Sequence, residues 1–279
     1  MLLIADSGST KTHWSLVKAD GHCTHHYTQG INPFFQTEEE IAELLQTGLL
    51  PELVGNEMDE IYFFGAGCVG SNQVNRVWTA FSNVFRCGKI EIDSDLMGAA
   101  KALCGDEPGI ACILGTGSNS CFYDGVKIAQ QVSPLGFIIG DEGSGAVLGK
   151  RLVADCLKNQ LPEEMKKRFL ARFNLTSVQI VENVYRKPFP NRFLASLSVF
   201  LKENIEEPAI YRIVYEGFTD FFKRNVFQYD CQSYKVNVAG SVGFYYQDVL
   251  LKVAGDMSVR LGKIIQAPMD GLINYYTNR

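Results

Sequence analysis

One pattern occurs twice in this chain, and any fold must accommodate the repeat. A short apolar segment enters a turn of small residues, a second segment follows, and an Asp-Gly pair closes the unit. The first copy runs through Ile4-Ala5-Asp6-Ser7-Gly8-Ser9-Thr10, then His13 to Lys18, then Asp20-Gly21. The second runs through Ile110 to Leu114, Gly115-Thr116-Gly117-Ser118, Ser120 to Tyr123 and Asp124-Gly125. Asp-Gly between strand-like segments suits a tight hairpin, so each copy reads as strand, glycine turn, strand, hairpin. Such self-similarity points to an internal structural duplication. A turn-rich break, Gly105-Asp106-Glu107-Pro108-Gly109, separates the copies and predicts two domains, residues 1–107 and 108–279.

Between and after these units strands and helices alternate. Thr37 with Glu40 has the form of a capping box ahead of Ile41, Leu44, Leu45 and Leu49 at helical spacing. Ile61 to Phe64 is a buried-type strand ending at Gly65-Ala66-Gly67, and Val74, Val77, Trp78, Phe81 and Phe85 then line one helical face. Lys89 to Asp93 is a strand, and Asp95 opens an Ala-rich helix through Leu103. The remainder is mainly helical, apart from strands at Val236 to Ala239 and Leu261 to Ile265; a last helix spans Met269 to Tyr276. The class is α/β with two similar lobes.

Composition narrows the function. Apolar residues make up 46% and charged residues 20% of 279, and the net charge is −5, the balance of a globular protein without a basic face for nucleic acid. The basic run Lys166-Lys167-Arg168 adjoins Glu163 and Glu164 and reads as a solvated helix face. Asp6 interrupts the apolar N-terminus, which carries no basic segment, and the longest apolar stretch, Ile61 to Gly70, is too short to span a bilayer. No membrane association and a cytoplasmic location are the expectations. The eight cysteines form no Cys-x-x-Cys pair and read as reduced, small hydrophobes. His22-Cys23-Thr24-His25-His26 follows the Asp20-Gly21 turn and reads as a polar, half-exposed strand rather than a metal site.

Four kinds of loop have chemical potential. In Asp6-x-Gly8-x-Thr10-Lys11 a glycine lets the backbone approach a phosphate, and Ser9, Thr10 and backbone N–H groups offer donors; an ordinary hairpin turn has the same composition. The carboxylate of Asp6 would repel phosphate unless Mg²⁺ lay between them. Gly115-Thr116-Gly117-Ser118-Asn119 is a matching loop in the second lobe, and two such loops facing each other across a cleft would hold phosphates from both sides. Gly140-Asp141-Glu142-Gly143-Ser144 precedes a helix; its acids suit a metal or sugar hydroxyls, or else an N-cap and first-turn acid. Asp95 ends a strand and starts a helix, where N-capping and general-base duty are both open. Gly240-Ser241-Val242-Gly243 is either a flat platform for a nucleoside or a plain strand-to-helix turn.

Taken together and in order, Asp6-Ser7-Gly8-Ser9-Thr10-Lys11, Asp95-Leu96-Met97-Gly98-Ala99-Ala100, Leu114-Gly115-Thr116-Gly117-Ser118-Asn119, Ile139-Gly140-Asp141-Glu142-Gly143-Ser144 and Ala239-Gly240-Ser241-Val242-Gly243 resemble the N-acetylglucosamine kinase family. That family is grouped with activator ATPases of the benzoyl-CoA-reductase type in the actin/hexokinase/Hsp70 superfamily. The resemblance spans residues 4 to about 245. It implies two RNase H-like lobes of actin/hexokinase type, with ATP and Mg²⁺ in the cleft between them.

Carried over position by position, the resemblance assigns phosphate contacts to Gly8, Ser9, Thr10, Lys11, Gly115, Thr116 and Gly117. Gly240 and Ser241 take the adenosine end, and Asp6 helps hold Mg²⁺ through water. Asp95 is the implied catalytic base, and Asn32, Ser118, Asn119 and Asp141, with Asp95, the implied sugar contacts. Phe34 stands where an aromatic near an acetyl group is expected, whereas Pro134-Leu135-Gly136-Phe137-Ile138 lacks the tryptophan that animal members often carry. The implied activity is ATP-dependent phosphorylation of a hexosamine, N-acetylglucosamine or glucosamine, with a homodimer as the implied assembly. An activator ATPase serving an electron-transfer partner, and a non-catalytic sugar or nucleotide sensor on the same scaffold, are the alternatives.

Overall fold

The computed structural model describes residues 1–8, 10–53 and 57–278, and the chain divides into two compact units. Met1–Glu107, with Gly125–Lys127 and the stretch from Pro268 onward, forms the first; Pro108–Asp124 and Ile128–Ala267 form the second. The helix expected near the C-terminus forms over Met269–Thr277, but it belongs to the first unit, so the chain returns to where it began.

The first unit is built on a five-stranded sheet. Its strands are β1 (Leu2–Ser7), β2 (Lys11–Val17), β3 (Cys23–Gln29), β4 (Glu60–Gly65) and β5 (Lys89–Ser94), in the order β3-β2-β1-β4-β5. The first three form an antiparallel meander, and β4 and β5 add in parallel to β1. Side chains alternate between faces along a strand. Leu3, Ala5, Trp14, Leu16, Ile61 and Phe63 therefore share one face, packed with Ile41 of α1 (Glu38–Leu44) and with Val77 and Phe81 of α2 (Ser71–Val84). The Thr37–Glu40 capping box is present in both directions. Trp78, expected on the buried stripe of α2, is 49% exposed. The stripe is centred on Val77, Ala80 and Phe81, and the next residue after Val77 is turned about 100° away from it.

The opposite face carries Asp6, Tyr62 and Phe64 and is covered by α3 (Asp95–Cys104) and the C-terminal helix. Tyr276 stacks on Tyr62 at 3.8 Å, and the Lys101 ammonium bonds both Glu91 and the Tyr276 hydroxyl at 2.9 Å.

The second unit repeats the plan. Strands β6 (Gly109–Leu114), β7 (Ser118–Tyr123), β8 (Ile128–Val132), β9 (Val236–Ala239) and β10 (Leu261–Ile265) lie in the order β10-β9-β6-β7-β8. Again an antiparallel meander of three strands is extended by two parallel ones. The duplicated sequence pattern is thus a duplicated sheet topology. Between β8 and β9 the chain adds α4 (Gly136–Ile139), α5 (Gly145–Leu157), α6 (Glu163–Phe173), α7 (Ser177–Tyr185), α8 (Pro190–Leu197), α9 (Val199–Glu203) and α10 (Pro208–Arg224). α11 (Ser241–Tyr245) and α12 (Gln247–Asp256) connect β9 to β10. The core of this unit gathers Leu148 and Leu152 of α5, Phe218, Phe221 and Phe222 of α10, and Val238 of β9. Among the described residues, no helix is long and apolar enough to cross a membrane.

Candidate active site

Parallel strands β1, β4 and β5 bring their carboxyl ends together, the edge of an open α/β sheet where ligands bind. Asp6 is in register with Phe64, and Phe64 with Asp93, so two carboxylates flank one phenyl ring in a single row across three strands. The next row, Ser7, Gly65 and Ser94, is the last, and Asp95 follows as the first residue of α3. The N-cap of α3 is Ser94, whose hydroxyl accepts from the Met97 N–H at 3.2 Å; Asp95 Oδ1 accepts from the adjacent Leu96 N–H, at 2.9 Å. Capping, one of the two duties open for Asp95 from sequence, falls to its neighbour Ser94.

Burial raises Asp95 to a pKa of about 6, against the pull of the Leu96 N–H. Asp6 is raised to about 7, first by burial and then by the negative charge of Asp95, with Lys11 opposing. Two carboxylates whose charge is so poorly compensated are suited to taking a proton from a substrate or to holding a cation.

Around them the chain is pinned by small polar side chains. The buried Ser7 and Thr12 hydroxyls bond at 2.7 Å, and the Ile31 N–H donates to Ser7 Oγ at 3.1 Å, which fixes the segment entering Asn32. Asn32 is 8% exposed; its Oδ1 accepts from the Phe34 N–H at 3.0 Å, and its own N–H donates to Gln36 Oε1 at 2.7 Å. Gly67, at φ +82°, makes room for it, since a β-carbon there would lie 2.4 Å from Asn32 Oδ1. The turn after β1 is closed by the Gly8 N–H donating to the Lys11 carbonyl at 3.0 Å, and Thr10 is exposed. The Lys11 ammonium sits 4.5 Å over the Tyr27 ring, yet it still lowers the pKa of Asp6. Ser9 lies outside the described residues.

In the second unit three loops converge. The Gly115 carbonyl accepts from the Gly145 N–H at 2.8 Å and the Thr116 carbonyl from the Ala146 N–H at 3.1 Å, which seats the turn on the start of α5. Gly240, at φ +122°, abuts the same turn: a β-carbon there would stand 2.3 Å from the Leu114 carbonyl oxygen. Asp141 Oδ1 accepts from the Ser118 N–H at 3.3 Å, and Gly117 leaves space for that carboxylate. Gly115, Thr116, Gly117, Ser118, Asp141 and Gly240 are therefore one cluster, with Ser241 exposed at the start of α11. Asn119 Oδ1 accepts from the Ser120 N–H and from Gln131 Nε2, at 2.9 and 3.1 Å.

The Asp141-Glu142 pair divides its work. Glu142 turns to Arg224 at 2.5 Å and to Asn225 at 3.4 Å, tying the loop to the end of α10. Asp141, in the left-handed region at φ +56°, stays with the glycine turn and is raised to about 6, chiefly by burial. Neither acid caps α5: Ser144 does, accepting from the Val147 N–H at 3.2 Å.

Sequence reasoning missed three residues here. Asp93 shares the register row of Asp6. Gly67 forms the wall against Asn32, and the buried Cys68 thiol, raised to about 12 by burial and by the charges of Asp95 and Asp93, lies beside the acids. The available signal was Gly65-Ala66-Gly67-Cys68, a small-residue turn at the carboxyl end of a parallel strand, the position that makes Asp95 informative.

No family model matches the chain, and no curated protein matches it. Among solved structures, a candidate N-acetylglucosamine kinase from Porphyromonas gingivalis is 46% identical, with a TM-score of 0.97 over 100% of this chain and 99% of its own. A second candidate N-acetylglucosamine kinase, from Chromobacterium violaceum, shares the fold at 19% identity and a TM-score of 0.76, covering 98% of each chain. A ROK family glucokinase from Streptomyces griseus, solved with glucose and AMPPNP, shares it at 16% identity and a TM-score of 0.58, over 99% of this chain and 98% of its own. The two five-stranded units are those of the actin/hexokinase type.

Proposed function

We propose that this chain, which belongs to the N-acetylglucosamine kinase family, is an ATP-dependent sugar kinase that phosphorylates a hydroxyl of a hexosamine, N-acetylglucosamine or glucosamine. The observation that carries the reading is the pair Asp6 and Asp95 at the carboxyl edge of the first sheet, each holding a charge that burial leaves uncompensated.

Asp95 acts as the base. A carboxylate with a pKa of about 6 is ionised at neutral pH, yet is basic enough to take the proton of a hydroxyl as that oxygen bonds to phosphorus. The new P–O bond forms at the γ-phosphorus, the bond to the bridging oxygen breaks, and ADP departs with the electron pair. Such transfer depends mostly on positioning and charge stabilisation. Asn32, Ser118, Asn119 and Asp141 are assigned to the sugar. The phosphates are assigned to Gly8, Ser9, Thr10 and Lys11 in the first unit and to Gly115, Thr116 and Gly117 in the second; Gly240 and Ser241 receive the adenosine end.

The raised pKa of Asp6 marks negative charge in want of a cation, and this fits Mg²⁺ held there through water. That ion would offset phosphate charge beside Asp6. Lys11, near enough to lower the pKa of Asp6, adds a second positive group on the same side.

The test is ADP release with Mg·ATP, without acceptor and with a panel of amino sugars, N-acetyl amino sugars and plain hexoses. A large rise with a hexosamine is expected. Hydrolysis indifferent to every sugar would instead indicate an activator ATPase, and sugar binding without transfer a sensor.

A further inference from the structure

Immediately beyond Asn32 the chain displays two aromatic rings that its fold does not need. Phe34 is 55% and Phe35 73% exposed, in a unit whose other phenylalanines are buried. Scattered exposed apolar residues are ordinary. An adjacent pair lining a concavity is different, and here a groove of about 390 Å³ is walled by Phe34, Phe35, Thr37, Glu38 and Arg76.

The loop bearing the rings is rigidly held. Arg76, from α2, donates through Nη1 to the Pro33 carbonyl at 2.5 Å and to the Gln36 carbonyl at 3.2 Å. The Phe35 and Gln36 N–H groups both donate to the Asn32 carbonyl, at 3.0 and 3.2 Å, and the Phe34 N–H donates to the Asn32 side chain. Five hydrogen bonds thus fix four consecutive residues, and Pro33 restricts its own backbone. The rings are presented on a preorganised support, which lowers the entropy lost when something binds them.

Phe34, in the wall of the groove, links it to Asn32, which is assigned to the acceptor sugar. The Phe34 ring approaches to 3.0 Å of where a β-carbon at Gly67 would be, the same glycine that abuts Asn32 Oδ1. Gly67 leads into Cys68, which feels the charges of Asp95 and Asp93. From the acids outward the order is therefore Asp95, Cys68, Gly67 with Asn32, Phe34, Phe35.

We propose that this groove is an extension subsite for a second pyranose ring joined to the acceptor sugar, so that the substrate class includes hexosamine disaccharides as well as the free monosaccharide. A pyranose ring has an apolar C–H face that packs on an aromatic side chain, and a hydroxyl rim. Phe35 supplies the first surface, and the carboxylates and guanidinium of Glu38, Glu39 and Arg76 meet the rim. The inference rests on the sugar-kinase reading for its first ring.

The experiment compares wild type with Phe35→Ala, using N-acetylglucosamine and N,N′-diacetylchitobiose. Calorimetric titration is run without nucleotide alongside the ADP-release assay. Phe35 is mostly exposed, so its truncation leaves the core intact. The disaccharide is expected to bind wild type about tenfold more tightly than the monosaccharide, and Phe35→Ala to abolish that advantage while leaving monosaccharide affinity and turnover unchanged. Disaccharide binding no tighter than monosaccharide binding, or an advantage that survives Phe35→Ala, overturns the subsite. Binding without turnover of either sugar overturns the kinase reading and leaves the subsite to be judged by the titration alone.

Discussion

Asp95 lies close enough to Asp6 for its negative charge to add to burial in keeping a proton on Asp6 up to about pH 7. Asp95, the stronger acid, ionises first and its charge then hinders ionisation of Asp6, so the site responds to pH in the range where cells work.

The first response is in rate. With Asp95 at about 6 as the base, kcat/KM should fall about tenfold per unit below pH 6 and level off above it. A profile flat from pH 4.5 to 8.5 would remove Asp95 as the titrating base.

The second is in stability. Both acids have folded pKa values above the 3.8 of a free aspartate, so between about pH 4 and 7 the native state binds protons that the unfolded chain has released. Stability conferred by these protons is complete below the unfolded pKa and is lost as pH rises through 6 and 7. The ligand-free protein should melt at a lower temperature at pH 8 than at pH 5. Asp6→Asn should raise the melting temperature at pH 8 by a few degrees, roughly one kcal/mol for a unit of this size, with little change near pH 4. Loss of stability in this variant at pH 8 would contradict the burial argument.

Asp95→Asn should lower turnover by about 10³-fold while leaving nucleotide affinity nearly unchanged, because the carboxylate is used only as the proton leaves the acceptor. Ser94→Ala acts on the neighbouring position by another route. It removes the cap of α3 and should cost about 1 kcal/mol of stability in denaturant titrations.

Two glycines of one turn should part company. A β-carbon at Gly117 would meet Asp141 Oδ2 at 3.1 Å, so Gly117→Ala should displace that carboxylate and raise KM for the sugar. A β-carbon at Gly115 meets nothing within 4 Å, so Gly115→Ala should keep wild-type stability and raise KM for ATP by intruding where phosphate is assigned. Equal effects on both substrates from both variants would refute the division.

Gly240→Ala is expected to be severe. It combines φ +122° with a β-carbon 2.3 Å from the Leu114 carbonyl oxygen, both set by backbone rather than by a side chain that could swing aside. A loss of about 3 kcal/mol or more is expected in urea unfolding.

Much of this architecture was legible because it rests on local chemistry. The glycine turns after Asp6 and Leu114, the Thr37–Glu40 box, the Asp20-Gly21 and Asp124-Gly125 hairpins and the strand into Gly240 each follow from residues within a few positions of one another. What was not legible depends on distant pairing. Asp93 looks like one more polar strand residue until the register of β4 and β5 sets it across Phe64 from Asp6. Trp78 fits the helical stripe in sequence, but which arc of α2 meets the sheet is decided by Trp14, Phe63 and Phe81. The partition of Asp141 and Glu142 depends on Arg224, more than eighty positions away. The return of the C-terminal helix to the first unit follows from the tertiary contacts of Lys101 and Tyr276, which no spacing encodes.

That return sets a schedule. A ribosome delivers β1 to β5 and α3 early, but the helix completing their cover is made only after the whole second unit. Until Tyr276 reaches Tyr62 and Lys101, the face of the sheet that bears Asp6 lacks part of its cover. Removal of the helix Met269–Thr277 should therefore bring the pKa of Asp6 down toward that of a free aspartate, although neither acid is itself altered.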